Sequence, residues 1–189
     1  MSLNNLRKRC VFLDRDGVIN QSIIINKKPY SPRTKSEFKF LPNITKLINK
    51  IIEYNFYIII ITNQPDIATG HIDEDLLKYF HDKIRKKIPV TDIFVCKHLA
   101  SQNCLCRKPK PGLIFEAAKK YNINLKKSYF IGDRWKDINA SNEVGCHSIF
   151  IDYGYREKLK TKPKNHVKSI KEACDVIFKL ERIQFYEQY

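Results

Sequence analysis

Apolar residues along this chain fall into two alternating patterns. Cys10–Leu13, Phe56–Ile61, Asp92–Val95, Ser128–Ile131 and His147–Ile151 are short apolar-rich runs of strand length. A strand covered on both faces reads as a run of this kind. Between the runs, apolar positions recur at helical spacing. Ile44, Leu47, Ile48, Ile51 and Ile52 predict a helix over about 43–54. Leu76, Leu77, Phe80, Ile84 and Ile88 place a second over Asp73–Lys87. Pro111–Tyr121 is a third, opened by Pro-Gly, since proline is tolerated in a first turn. Ile138–Val144 and 169–182 complete the set. Residues 21–42 carry Pro29, Pro32 and Pro42 and read as a long polar loop or flap. No internal repeat or low-complexity segment interrupts the series.

Strands alternating with helices predict an α/β fold: a mostly parallel, Rossmann-like sheet with helices on both faces. At 189 residues the chain is expected to form one domain, 1–189. Ligands of such sheets bind beyond the carboxyl ends of the strands. Four places qualify: Asp14-Arg15-Asp16, Thr62-Asn63-Gln64, the segment from Cys96 to Lys110, and Gly132-Asp133.

Charge adds a second constraint. Lys and Arg outnumber Asp and Glu by 35 to 20, a net charge of +15. Such a surface attracts polyanions without naming one: nucleic acid, an acidic membrane surface and a phosphorylated metabolite all fit. No apolar run approaches the about 20 residues that cross a bilayer, and the N-terminus lacks the plan of a signal peptide. Of six cysteines, Cys96, Cys104 and Cys106 crowd together while Cys10, Cys146 and Cys174 are scattered. That distribution favours a metal site in a reducing compartment over a disulfide framework.

The acids come first among candidate chemistry. Asp14 and Asp16 follow the first strand; Asp133 follows the fourth, with Asp137 four residues on. Clustered carboxylates need a cation, and hard oxygen ligands suit Mg²⁺. The alternative is a turn at Asp16-Gly17 and a helix cap at Asp133. Thr62 ends the second strand with a hydroxyl suited to an anionic oxygen. Lys108 lies in a basic stretch just before a helix, where the dipole disfavours cations unless an anion lies between. Cys96, His98, Cys104 and Cys106 make a closed four-ligand set for tetrahedral Zn²⁺, leaving no position for water, so the metal would be structural. Free cysteines in a loop are the alternative.

Together these motifs resemble the haloacid dehalogenase superfamily of phosphatases. Asp14-x-Asp16-Gly17-Val18 looks like its first motif, Thr62 the second, Lys108 the third and Gly132-Asp133-x-x-x-Asp137 the fourth. FLDRDGVIN, ITNQ, CxH…CxCRKPKPG and IGDRxxDI are similar, more narrowly, to the D-glycero-D-manno-heptose 1,7-bisphosphate phosphatase group, which shares its zinc loop with bacterial histidinol-phosphatases. The resemblance implies a cytoplasmic, Mg²⁺-dependent phosphatase without a large cap domain, acting toward the ADP-heptose of lipopolysaccharide core. It makes Asp14 the nucleophile and Asp16 the general acid and base. It places Mg²⁺ on Asp14, the Asp16 carbonyl and Asp133, with Asp137 behind them, and Zn²⁺ on Cys96, His98, Cys104 and Cys106. Thr62 and Lys108 would hold the transferring phosphoryl group. Asn63, Gln64, Arg107 and Arg134 would bind the rest of the substrate, the two arginines its second phosphate. Arg15 is expected to point away from the acids, with no catalytic role.

Two stretches depart from the group. Where it commonly reads NQSGIARG, this chain has Asn63-Gln64-Pro65-Asp66-Ile67-Ala68-Thr69-Gly70. Ile23-Ile24-Ile25 replaces a commonly polar stretch. The catalytic residues are untouched, so the departures bear on the substrate. Histidinol phosphate, another small phosphate ester and a nucleic-acid 3′-phosphate stay open beside the heptose bisphosphate. A zinc-stabilised basic binding protein without catalysis is the third reading. Neither a membrane nor a nucleic-acid partner is expected, and a monomer is.

Overall fold

A computed structural model describes residues 7–186, with side chains through 183. Its centre is a six-stranded sheet whose pairs are all parallel. The chain runs β1 (Arg9–Leu13), β2 (Ile23–Ile25), β3 (Lys28–Tyr30), α1 (Ile44–Ile52), β4 (Phe56–Asn63), α2 (Glu74–Lys87) and β5 (Asp92–Cys96). It continues through α3 (Gly112–Tyr121), β6 (Tyr129–Gly132), α4 (Trp135–Glu143), β7 (His147–Ile151), β8 (Asn165–Val167) and α5 (Ile170–Tyr186). Strand order is β5-β4-β1-β6-β7-β8. β1, β4 and β5 build outward on one side and β6 to β8 on the other, so the order reverses between β1 and β6. Ligands bind at such a switch point.

Alternation along the strands fills two cores. Val11 and Leu13 of β1 join Phe56, Ile58 and Ile60 of β4 on one face, under α1, α2 and α5. Cys10 and Phe12 join Ile59, Ile61 and Phe130 on the other, under α3 and α4. Every one of these strand residues is nearly or wholly excluded from solvent. Truncating one of the buried phenylalanines would cost about 3–5 kcal/mol. α2 begins where Asp73 accepts from the Leu76 N–H at 2.7 Å, a side-chain cap for an orphan donor.

Three expectations need correction. The stretch 21–42 is not all loop: β2 and β3 form an antiparallel hairpin over the carboxyl end of the sheet. Asn26 and Lys27 turn it with φ of 51° and 59°, the left-handed pair of a type I′ turn. β8 was not predicted, because Asn165-His166-Val167 is an edge strand with only Val167 buried. α4 starts at Trp135 rather than Ile138, since its polar first turn carries site residues instead of core.

Candidate active site

The first motif is made by a turn at the end of β1. The Asp14 N–H donates to the Ile131 carbonyl of β6 at 3.0 Å, continuing the sheet. Beyond it, the Gly17 N–H donates to the Asn20 carbonyl at 2.7 Å. Gly17 has φ +86°, and a Cβ there would sit 1.9 Å from Asp133 Oδ2. Only glycine lets this turn approach the acid at the end of β6.

Asp14, Asp133 and Asp137 place carboxylate oxygens within 4.8 Å of one another. Lys108 bridges the group from the loop before α3. Its buried ammonium lies 2.8 Å from Asp14 Oδ1 and 2.7 Å from Asp137 Oδ1. It also donates to the Ile61 carbonyl at 2.6 Å. Asn63 locks the Lys108 backbone, accepting its N–H at 3.1 Å and donating to its carbonyl at 3.0 Å. Asp137 spends its other oxygen on the Arg134 N–H at 3.0 Å, so both its oxygens are used inside the protein. Asp133 is different. Oδ2 accepts from the Tyr155 hydroxyl at 2.9 Å, and Oδ1 is buried without a partner among the described residues. An orphaned buried carboxylate oxygen beside Asp14 fits a hard divalent cation such as Mg²⁺.

Burial pushes Asp14 up to about 6, with the Asp137 charge adding to it and Lys108 opposing. Burial, then the charges of Asp14 and Asp137, raise Asp133 well above the ordinary carboxylate value. The reluctance of these acids to ionise together is what a bound cation would relieve.

Asp16 contrasts with its neighbour. Arg15 does not point away: its wholly buried guanidinium forks onto the Asp16 carboxylate and reaches Gln64 Oε1 at 2.8 Å. Asn20, Ser31 and Gln64 also donate to Asp16, at 2.8, 2.8 and 2.9 Å. Burial would raise this carboxyl, but Arg15 and those hydrogen bonds outweigh it and hold it below its ordinary value.

Gln64 is therefore corrected from a substrate contact to a buried strut. Its Nε2 donates to both Asp16 and Thr62 Oγ1, and it has no exposed surface. Asn63 reaches the cleft edge, but its amide is spent on Lys108. Thr62, nearly buried, does line the cleft. Arg107 and Arg134 line it too. Arg107 Nη1 donates to the His98 carbonyl at 2.9 Å. Arg134 forks onto Glu157, with Nε 2.7 Å from Oε2.

The cleft holds about 320 Å³. Hairpin residues Lys28, Pro29, Tyr30, Ser31 and Arg33 wall one side of it. Arg33 pairs with Asp66 at 3.2 Å, so the atypical acid of the second motif anchors the hairpin. Tyr155, Glu157 and Lys136 escaped the sequence reading. The tyrosine and glutamate lie past β7 in a stretch with no apolar period, and Lys136 is one of many lysines.

Cys96, His98, Cys104 and Cys106 converge at the end of β5. Cys96 Sγ lies 3.6 Å from both His98 Nδ1 and Cys104 Sγ. Cys106 Sγ is 3.4 Å from both other sulfurs and 3.2 Å from His98 Nδ1. A tetrahedral zinc with Zn–S of about 2.3 Å spaces its sulfurs about 3.8 Å apart, so the four donors fit that ion. Cys10, Cys146 and Cys174 are free and buried elsewhere.

Residues 105–173 match the HAD-hydrolase-like family model. The chain is 36% identical over 155 residues to the D-glycero-alpha-D-manno-heptose-1,7-bisphosphate 7-phosphatase of Photorhabdus laumondii, covering 76% of this chain and 81% of that one. It is 36% identical over 179 residues to the D-glycero-beta-D-manno-heptose-1,7-bisphosphate 7-phosphatase of Helicobacter pylori strain 26695, covering 89% and 97%. The fold is similar to the crystal structure of the D,D-heptose 1,7-bisphosphate phosphatase of B. bronchiseptica complexed with magnesium and phosphate. That match has a TM-score of 0.77 and 24% identity, over 90% of this chain and 98% of the other. The chain belongs to the haloacid dehalogenase phosphatases, in the family of the heptose-1,7-bisphosphate 7-phosphatases.

Proposed function

We propose that this chain hydrolyses the 7-phosphate of a D-glycero-D-manno-heptose 1,7-bisphosphate through an aspartyl-phosphate, on the route to ADP-heptose. The observation that carries the reading is the Lys108 bridge, 2.8 Å from Asp14 and 2.7 Å from Asp137, at the switch point of the sheet. It fixes a carboxylate oxygen beside a buried cation, where a phosphoryl group would meet both a nucleophile and a positive charge.

Asp14 attacks phosphorus through a carboxylate oxygen while the bond to the sugar oxygen breaks. Asp16 supplies the proton to that leaving oxygen. It then takes one from the water that cleaves the acyl-phosphate, returning Asp14 as carboxylate and releasing inorganic phosphate. Thr62 and Lys108 hold the phosphoryl oxygens. Asp14, Asp133 and the Asp16 backbone carbonyl would hold Mg²⁺, which when bound offsets the repulsion between carboxylate and phosphate. Asp137 keeps Lys108 in place. The zinc set fixes the loop that carries Arg107 and Lys108.

The five hydrogen bonds onto Asp16 favour its ionised form, the state needed for the second step. The first step needs the protonated carboxyl, which the Arg15 fork and these hydrogen bonds disfavour. The relatives act on opposite anomers, one alpha and one beta, so both belong in the test.

Steady-state kinetics on both anomers, beside histidinol phosphate, test the reading. At least tenfold higher kcat/KM for one bisphosphate is expected, abolished in Asp14→Asn. Equal turnover of histidinol phosphate would make the chain a general small-ester phosphatase. No turnover of any ester would make it a binding protein.

A further inference from the structure

Five cationic side chains besides Lys108 line the cleft: Lys28, Arg33, Arg107, Arg134 and Lys136. They divide by partner. Arg33 is neutralised by Asp66 and Arg134 by Glu157. Lys28, Arg107 and Lys136 form no ion pair with a carboxylate among the described residues. Lys28 stacks over the Tyr30 ring at 5.2 Å, and Arg107 is steered by a neutral carbonyl.

Lys136 is the unusual member of the three. It is half-buried in the first turn of α4, where the helix dipole opposes a cation. Lysines are mostly exposed residues, and one drawn into a protein wall is the exception. Here the Lys136 ammonium lies 5.7 Å from the centroid of the Trp135 ring, and the like charges of Arg107 and Arg134 outweigh the opposite ones of Glu157 and Asp137. A cation kept in such a place, facing a cleft, has its complement in the ligand. The hairpin, the zinc loop and α4 each bring one such charge to the cleft.

We propose that Lys136, with Lys28 in the lining of the same cleft, holds the non-reacting phosphate of the substrate, and that Arg134 does not. This rests on the bisphosphate reading above and replaces one residue of it. Arg134 is spent on Glu157, and its service would be to shape the wall on which Lys136 stands. An ammonium contacts phosphate as a point charge rather than a fork, so the subsite would tolerate more than one orientation of the anomeric phosphate.

The test compares a heptose 1,7-bisphosphate with the heptose 7-phosphate, using the ratio of their KM values. In Lys136→Met the ratio of bisphosphate to monophosphate KM is expected to rise about tenfold, the loss of one charge-assisted contact. Lys136→Arg should restore most of it, and Lys28→Met should move it in the same direction. A ratio unmoved in Lys136→Met, or moved by Arg134→Met alone, overturns the proposal. Thermal melting of each variant separates a folding defect from a binding one. A wild-type enzyme that does not distinguish the two substrates refutes the bisphosphate reading itself, whatever the variants do.

Discussion

Arg15 and Asp16 are neighbours in sequence and partners in space. The guanidinium Nε lies 3.0 Å from Oδ1 and Nη2 lies 2.9 Å from Oδ2, with the arginine wholly buried. The same Nη2 reaches Gln64, which in turn reaches Thr62. One planar cation thus ties the end of β1 to the end of β4.

Arg15→Lys should be far from conservative. An ammonium cannot reproduce two parallel bonds and a third to Gln64 from one buried position. Urea unfolding should show a loss of about 3 kcal/mol, the low end of the about 3–5 kcal/mol for breaking a buried charge pair, since lysine keeps the charge. A lysine variant as stable as the wild type would mean the fork contributes geometry but no stability.

Loss of the zinc that Cys96, His98, Cys104 and Cys106 would hold should act on binding more than on chemistry. Arg107 is steered by the His98 carbonyl, within the metal set itself. Lys108 has further anchors in Asn63, Asp14 and Asp137. Cys104→Ser is therefore expected to lower zinc content below one per chain and raise KM several-fold, with a smaller change in kcat. The melting temperature should fall by about 5–10 °C. Elemental analysis beside kinetics checks this; a kcat that collapses while KM holds would place Lys108 under the control of the metal.

Stability at low pH has a separate anchor in Asp92. It accepts from Lys120, the Ile93 N–H, Tyr121 and Arg85, joining α2 and α3 to β5. Burial opposes its ionisation, but those partners bring it down to about 2. A carboxyl lower in the folded than in the unfolded state adds stability above its unfolded value near pH 4, and loses it as pH falls toward 2. Its side chain is 18% exposed, so about 1–2 kcal/mol is the expected contribution at neutral pH. Asp92→Asn should show that deficit in denaturant melts at pH 7, shrinking as pH falls below about 4 and vanishing only below about pH 2. A deficit constant with pH would mean that the lost charge is irrelevant.

The sheet and its catalytic end were legible because burial on two faces writes apolar runs, and acids at strand ends break them. Asp14, Asp133 and the cysteine set needed no more than that. The hairpin hid because its turn uses Asn26-Lys27 in place of the Asn-Gly that signals a type I′ turn. β8 hid because an edge strand with one buried residue has no period. Arg15 was misread for a different reason. Strand alternation assigns faces only while the chain stays extended, and here it turns immediately after Asp14, with the carbonyl of Arg15 accepting from Val18, Ile19 and Asn20.

Tyr155 offers the sharpest test of how the acid pair is set. Its hydroxyl donates to Asp133 Oδ2 at 2.9 Å, leaving Oδ1 as the buried oxygen without a partner. Tyr153, two residues earlier, donates to the Gly17 carbonyl at 3.0 Å and so braces the facing turn. A carboxylate with one oxygen tethered presents the other in a single orientation, and groups that orient ligands in this way are worth 10–100-fold in metal affinity. Tyr155→Phe keeps the ring and removes only the donor. Mg²⁺ titration by calorimetry should show at least tenfold weaker binding. Activity at saturating Mg²⁺ should recover toward the wild-type kcat, with substrate KM little changed. If Mg²⁺ binds the variant as tightly as the wild type, the phenol only fills space beside Asp133, and Gly17 alone governs how closely the two strand ends approach.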